Sequence, residues 1–409
     1  MLYQAYEAQQ WASRPLRVAA GLTRMAIDAL GPRVAQHPLA RVVSANCDLA
    51  MQTELHHRRP PWAIPEVTTV GGRRVAVREE LVADTPFGSL THFVKEDHAP
   101  AGGEPRVLLV TALAGHFSTL LRDTVRTMLP DHDMYVTDWH NARDVPLEAG
   151  RFGLDEYIAH MVDWLELLGP GTHVLAVCQP CPATIAATSI LAARNSPAQP
   201  RTLTLMAGPV DTRINPTVVN DLATSTPIEW FADNVVDVVP LGYPGAGRRV
   251  YPGFVQLSAF VSMNAPRHVR QHLQLYGDLI RGNTARAASV SSFYEEYFAV
   301  LDMSADFYLE TVSAVFMRHL LPKGELTWRG QKVDPGQVRS TALLTVEGEN
   351  DDVCGLGQTL AAHDLFTGVD VRNKQHHLQA GVGHYGVFSG RRWQSEIAPV
   401  VRNFILQHA

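Results

Sequence analysis

The sequence predicts an α/β fold in which a mostly parallel sheet carries helices on both faces, and two observations support this prediction. Four short apolar runs follow one another in the first half of the chain, at residues 107–110, 134–137, 174–177 and 203–206. Strands that are buried on both faces have this composition. Segments with helical periodicity follow the first three runs, at 118–128, 157–168 and 184–194. Alternating strands and helices of these lengths form parallel sheets with crossover helices.

The rest of the chain indicates how this core is extended. Residues 1–66 are predicted to form an N-terminal helical extension that begins with an amphipathic helix at 1–31. The alternating pattern stops after Asp211 and returns with an apolar run at 342–346, and a last helix follows near the C-terminus. We therefore expect one α/β core made of two pieces, with a helical lid or cap inserted between them. The core pieces are residues 67–211 and 336–409, and the lid is residues 212–335.

Composition excludes several classes of protein. The chain has 409 residues, of which 46% are hydrophobic and 19% are charged, and its formal net charge is −6. A general nucleic-acid binder would be basic, so we expect no nucleic-acid partner. The four cysteines are too few for a disulfide scaffold, and no secretory signal or transmembrane run is apparent. These features predict a cytoplasmic protein with free thiols.

No cofactor or metal is expected from the motifs. The His pairs at 56–57 and 376–377 lack the spacing of metal ligands. The chain also lacks two C-x-x-C motifs, which together would form a zinc site. Residues 381–386 match G-x-G-x-x-G, but they lie near the C-terminus, where no βα unit follows. That position argues against a dinucleotide site.

Cys178 lies where the third predicted strand meets a helix. Ligands bind beyond the carboxyl ends of strands in sheets of this kind, and a helix N-terminus favours an anion such as a thiolate. Cys178 is thus a candidate nucleophile. With Cys181 it also forms a Cys-x-x-Cys pair, which is typical of thiol–disulfide oxidoreductases, and both interpretations stay open at this point.

An acidic residue and then a histidine follow Cys178 in the chain. Asp351 comes after the strand at 342–346, and His384 comes later in a Gly-rich segment. The order nucleophile, acid, histidine is that of α/β-hydrolases, although the G-x-S-x-G motif is replaced here by Ala176 to Pro180. We therefore predict an α/β-hydrolase fold with Cys178, Asp351 and His384 as the catalytic residues. The neighbouring Asp352 is the alternative acid.

The same fold predicts where an oxyanion would be held. The backbone N–H of Gln179, directly after the nucleophile, is one predicted donor. The other is a backbone N–H near Leu113 or Ala114, in the loop after the first strand.

Seven strings of residues carry a family resemblance along nearly the whole chain: MLYQ at 1–4, GHF at 115–117, TDWHNARDVP at 137–146, VCQP at 177–180, FYLETV at 307–312, EGENDD at 347–352 and GHYGVF at 383–388. On these strings the chain resembles the intracellular poly(3-hydroxybutyrate) depolymerases, cysteine-dependent α/β-hydrolases of bacteria that store polyester granules. The family commonly shows Cys-Gln-Pro-x-Val-Pro, whereas this chain has an extra cysteine, Cys181, and its second proline is one position earlier.

The resemblance implies a function and partners. The family nucleophile, acid and histidine match Cys178, Asp351 and His384, and the implied activity is hydrolysis of storage polyester through a thioester acyl-enzyme. The implied partners are the polyester and the granule surface. Three alternatives stay open: a polyhydroxyalkanoate synthase-like acyltransferase, a Cys-x-x-Cys oxidoreductase and a non-catalytic granule-binding protein. The synthase normally has glycines around its cysteine, where this chain has Ala176 and Pro180.

Overall fold

The computed structural model describes residues 1–52, 54–98, 102–263 and 265–409. The strands of these residues, in chain order, are β1 (Glu66–Thr68), β2 (Arg74–Thr85), β3 (Gly88–Lys95), β4 (Arg106–Val110), β5 (Asp133–Trp139), β6 (His173–Val177), β7 (Thr202–Met206), β8 (Asp237–Val238), β9 (Arg249–Tyr251), β10 (Met303–Ser304), β11 (Thr327–Trp328), β12 (Gln331–Lys332), β13 (Ala342–Gly348) and β14 (Lys374–Gln379).

The α-helices of the same residues are α1 (Leu2–Ala29), α2 (Pro32–Ala35), α3 (Pro38–Gln52), α4 (Arg122–Met128), α5 (Leu154–Leu168), α6 (Cys181–Ala193), α7 (Val218–Ser225), α8 (Ile228–Asn234), α9 (Gly253–Met263), α10 (Ala265–Arg281), α11 (Thr284–Tyr297), α12 (Ala305–Thr311), α13 (Ala362–Leu365), α14 (Gly390–Arg392) and α15 (Ala398–Gln407).

Nine strands form one sheet in the order β1-β2-β3-β5-β4-β6-β7-β13-β14. The strands from β5 to β14 in this order pair in parallel, and β1, β2 and β3 add an antiparallel edge. Every residue of β6, β7 and β13 is buried, as the apolar runs of the sequence predict.

Helices cover both faces of this sheet. On one face, α5 and α6 pack against the strands through large side chains such as Tyr157 and Ile185. On the other face, α4 and α15 contribute Met128 and Phe404 to a second core. A mostly parallel sheet between two helical layers confirms the predicted α/β-hydrolase fold.

The segment between β7 and β13 contains helices α7 to α12, in agreement with the helical content expected there. It also contains short strands, which the sequence did not predict. Strands β9 and β10 pair antiparallel, and most of their residues are buried. They are only two or three residues long, so they are too short to show the period-2 alternation by which strands are recognised.

The predicted N-terminal amphipathic helix is α1, which packs with α3, while Tyr3 at its start is buried against Phe254 and Val250. Its first turn is held by Asp302, whose fully buried carboxylate accepts hydrogen bonds from Arg143 Nε and Nη2 at 2.8 and 3.0 Å. The same carboxylate accepts from the Tyr3 hydroxyl and from the Gly253 N–H. This buried cluster ties α1 and the start of α9 to the end of β5. Within the described ranges, no helix is both long and apolar enough to cross a membrane.

Candidate active site

Cys178 occupies a strained turn between β6 and α6. Its φ angle is +67°, a left-handed conformation that costs a residue with a side chain about 1–3 kcal/mol. The Cys178 N–H donates to Met206 O at 2.8 Å, and the Cys181 N–H donates to Cys178 O at 3.2 Å. These bonds hold the turn in place, so that a half-buried thiol is presented at the carboxyl edge of the sheet. This is the geometry of the nucleophile turn in α/β-hydrolases.

Gly208 provides room for this turn, and sequence reasoning did not identify it. A Cβ atom at Gly208 would lie 2.1 Å from Cys181 Sγ and 3.0 Å from Cys178 O. Neither the backbone nor the short Cys181 side chain can retreat, so only glycine fits here. The available signal was a glycine two residues after the buried strand β7, beside the strand that carries the nucleophile.

Asp351 and His384 lie next to each other, although 33 positions separate them in the chain. His384 Nδ1 is 2.8 Å from Asp351 Oδ2, and both side chains are almost completely buried. The second oxygen, Asp351 Oδ1, accepts hydrogen bonds from the backbone N–H groups of Val353 and Cys354. The carboxylate is therefore fixed in position to orient the imidazole. Asp352, the alternative acid, is an exposed residue.

Cys178 and His384 line the same cavity, so the charge of the thiolate acts on the imidazole. Burial alone would lower the pKa of His384. The negative charges of Asp351 and of the Cys178 thiolate, with the hydrogen bond to Asp351, outweigh burial and raise the pKa of His384 well above its usual 6.5. The structure thus brings the three predicted residues together: His384 is hydrogen-bonded to Asp351 and shares a cavity with Cys178, and its imidazole favours the protonated form.

A cavity of about 60 Å³, partly open to solvent, lies over Cys178 and His384. Its lining is mostly apolar and comes from the loops after β4, β6, β13 and β14, and also from α9: Thr111, Ala112, Ala114, His116, Phe117, Ser118, Leu120, Leu121, Val177, Cys178, Phe260, Val353, His384, Tyr385 and Phe388.

The predicted oxyanion donors differ in their availability. The Leu113 N–H already donates to the side-chain Oε1 of Gln179 at 3.1 Å, and the Leu113 side chain belongs to the hydrophobic core. Ala114 lines the cavity. Within the described residues, neither the Ala114 N–H nor the Gln179 N–H donates to a protein acceptor. Of the three predicted groups, the backbone N–H groups of Ala114 and Gln179 therefore remain free to bind an oxyanion. The Gln179 side chain instead holds the loop that contains Leu113 and Ala114, through its hydrogen bond with the Leu113 N–H.

Cys181 lies beneath the turn and away from the cavity. It is fully buried, and its thiol donates to Ala176 O at 3.3 Å. Burial raises the pKa of the Cys181 thiol, which makes it a poor source of thiolate. In the part of the chain that the structure describes, no cluster of three or more His, Cys, Asp or Glu is arranged to hold a metal ion.

Comparison with known proteins supplies one family. Residues 207–409 match the family described as PHB de-polymerase C-terminus. A search of curated proteins finds no match to this chain.

The chain is similar to several solved structures at low identity. One is an epoxide hydrolase from Bacillus megaterium, with 13% identity, a TM-score of 0.48, and coverage of 80% of this chain and 100% of that chain. Another is 2-hydroxy-6-oxo-6-phenylhexa-2,4-dienoate hydrolase from Rhodococcus sp. strain RHA1, with 11% identity, a TM-score of 0.44, and coverage of 81% and 99%. A third is a putative lipase from Acinetobacter baumannii AYE, with 10% identity, a TM-score of 0.42, and coverage of 81% and 93%.

The pairing of His384 with Asp351 predicts a specific titration. In Asp351→Asn the carboxylate charge is lost while burial remains, so the pKa of His384 should fall. Nuclear magnetic resonance of ¹⁵N-labelled imidazoles as a function of pH measures this directly. Because the folded-state pKa is raised, the interaction stabilises the fold fully below about pH 6.5 and is lost as pH rises through the folded-state pKa.

Asp352→Asn is the matched control, because it removes an exposed carboxylate from the adjacent position. This variant should leave the His384 titration close to that of the unchanged protein. If Asp352→Asn lowered the pKa of His384 as much as Asp351→Asn does, the assignment of Asp351 as the orienting acid would be wrong.

Proposed function

Because the chain belongs to the poly(3-hydroxybutyrate) depolymerase family, we propose that it hydrolyses ester bonds of intracellular poly(3-hydroxybutyrate) or short-chain polyhydroxyalkanoate. Cys178 is the proposed nucleophile, His384 the proton carrier and Asp351 the orienting acid. The observation that carries this proposal is the convergence of a thiol on a strained turn with a buried His–Asp pair, whose histidine lines the same cavity as the thiol. The fold and the family support an esterase-type hydrolase.

In the first half of the proposed reaction, the Cys178 thiolate attacks the carbonyl carbon of an ester in the polymer. The backbone N–H groups of Gln179 and Ala114 hold the oxyanion that develops. The carbon–oxygen ester bond then breaks, and His384 gives its proton to the departing alkoxide. The products are a shortened chain with a free hydroxyl and a thioester on Cys178.

In the second half, His384 is neutral and accepts a proton from a water molecule. The resulting hydroxide attacks the thioester carbonyl, the carbon–sulfur bond breaks, and the sulfur leaves as a thiolate. The released product is a hydroxy acid, and the Cys178 thiolate again faces a protonated His384. Asp351 stays ionised throughout and stabilises the charge on the imidazole.

The position of Cys181 favours hydrolysis over a dithiol reaction. A resolving cysteine needs to approach the first sulfur as a thiolate. The Cys181 thiol is fully buried with a raised pKa and donates to a backbone carbonyl under the turn. The histidine and the acid beside Cys178 would also have no role in a dithiol enzyme.

We further propose that residues 212–335 act as a lid over the site. Glu296, on α11, accepts a hydrogen bond from Thr119 at 2.6 Å and pairs with Arg122 at 2.5 Å. The ring of Tyr297, on the same helix, lies against that of Tyr385 beside His384, with centroids 6.1 Å apart. A cavity of about 60 Å³ is small beside a polymer chain, so we expect these contacts to separate when substrate enters.

We also propose that α1 contacts the granule surface. Trp11, Val18, Leu22 and Met25 recur at helical spacing on its outer side, and each is more than half exposed. An apolar stripe of this kind suits a partner that is itself an apolar solid.

Replacing Cys178 with Ala tests the nucleophile. We expect release of hydroxybutyrate from amorphous granules to fall by about 10⁶-fold, the loss typical when a triad nucleophile is removed, and so below detection. Cys181→Ser is the matched control three residues away, and it should retain most of the hydrolytic rate because the Cys181 thiol does not face the cavity. Hydroxybutyrate is measured in the soluble fraction over time.

Four outcomes would contradict this assignment. Undiminished release by Cys178→Ala would refute Cys178 as the nucleophile. A loss in Cys181→Ser as severe as that in Cys178→Ala would indicate a dithiol. Co-sedimentation of the unchanged protein with granules, without any release of product, would indicate a non-catalytic granule-binding protein. Polymer formation from hydroxybutyryl-CoA would favour the synthase-like alternative.

Weakening the lid contacts should expose the thiol. Arg122→Met removes the cationic partner of Glu296, and a charge-assisted hydrogen bond contributes about 1.5–3 kcal/mol. We therefore expect alkylation of Cys178 by iodoacetamide to become about tenfold faster or more, as measured by mass spectrometry of the Cys178 peptide.

Arg126→Met is the control for that experiment. Arg126 lies on the same helix, α4, but donates to Ala63 O at the surface rather than to the lid. Its replacement should leave the alkylation rate nearly unchanged. Equal alkylation rates in the unchanged protein, Arg122→Met and a second lid variant, Glu296→Gln, would argue against a closing lid.

A further inference from the structure

His116 is a buried side chain at the catalytic cavity that the proposed mechanism does not use. It lies in the loop after β4, is 7% exposed, and lines the same cavity as Cys178 and His384. Its ring centroid lies 5.0 Å from that of Tyr297 and 5.9 Å from that of Phe260. The loop is pinned from the other side, where the Leu301 N–H donates to Gly115 O at 3.0 Å. The ring is therefore held between the nucleophile turn and the lid.

The hydrogen bonds of this ring determine which nitrogen carries the proton. Burial lowers the pKa of His116 to about 4, so the imidazole is neutral at physiological pH. The backbone carbonyls of Tyr297 and Ala114 lie close enough to the ring to act on its pKa. Among the described residues, the buried Nε2 atom has no hydrogen-bond partner. We assign the proton to Nδ1, so that Nε2 presents a lone pair.

A buried lone pair without a donor is unfavourable, so such an atom in a cavity indicates a bound group that donates. A polyester chain contains few donors. Its carbonyl and ester oxygens only accept, and at neutral pH its terminal carboxylate only accepts. The one O–H group of the chain is the hydroxyl at its other end. The lone pair of His116 is therefore complementary to that hydroxyl and not to the interior of the polymer.

We propose that His116 Nε2 accepts a hydrogen bond from the 3-hydroxyl of the acyl unit that is attached to Cys178. This inference rests on the proposed function and deepens it, because it makes His116 a specificity-determining residue. In an interior unit the 3-oxygen is esterified and has no hydrogen to donate. The enzyme thus selects the hydroxyl-terminal unit and shortens chains from that end. The small size of the cavity agrees with an acyl group of one short unit.

The experiment compares two activated esters that differ only in the hydroxyl, p-nitrophenyl 3-hydroxybutyrate and p-nitrophenyl butyrate. For the unchanged protein we expect kcat/KM to be about tenfold higher for the hydroxylated ester, the effect of one hydrogen bond to a neutral acceptor. In His116→Leu the ratio of the two kcat/KM values should fall to about one. In His116→Gln, which keeps a neutral acceptor, much of the preference should remain.

A ratio of two substrates on the same protein separates recognition from general damage to the fold. If His116→Leu slowed both esters equally and kept the tenfold ratio, His116 would be structural and the inference would be overturned. A ratio of about one in the unchanged protein would also overturn it, while leaving the proposed function intact. If the unchanged protein hydrolysed neither ester, the proposed function itself would fail.

A blocked oligomer gives a second readout on a natural type of ester. A 3-hydroxybutyrate trimer with a free hydroxyl end should release its terminal unit faster than the same trimer acetylated at that hydroxyl. Equal rates for the two trimers would contradict selection of the hydroxyl terminus.

Discussion

The left-handed turn at Cys178 is the constraint on which the rest of the site depends. A residue with a side chain adopts φ +67° only where the surroundings enforce it. Here β7 enforces it, because Met206 O accepts the Cys178 N–H and Gly208 leaves the space that the turn needs. The strain has a chemical use, since it lifts the sulfur out of the strand direction and places it beside His384 at the start of α6.

The order of the parallel strands then brings distant parts of the chain to this sulfur. Strands β4, β6, β13 and β14 all end at the same edge of the sheet, so the loops that follow them meet there. These loops contain, in the same order, His116, Cys178, Asp351 and His384. The helices between β7 and β13 close the edge from above, with Phe260 and Tyr297 over the cavity. The sheet thus positions the polar groups, while a separate helical segment packs over them.

The sequence allowed much of this arrangement to be predicted. Continuous apolar runs identified β4, β6, β7 and β13, and the order of Cys178, Asp351 and His384 indicated which loops carry chemistry. Features that depend on contacts across the chain were not predictable. The engagement of the Leu113 N–H by the Gln179 side chain depends on the relative position of two loops. The burial of Cys181 under its own turn depends on the direction of one side chain.

The most direct measurement of the central claim is the identification of the covalent intermediate. The protein is mixed with p-nitrophenyl butyrate, the reaction is stopped with acid within milliseconds to seconds, and the peptides are analysed by mass spectrometry. The account predicts a butyryl group attached to the Cys178 peptide, which appears before steady-state hydrolysis and disappears as the ester is consumed. Ester hydrolysis without an adduct on Cys178, or with the adduct on another residue, would contradict it.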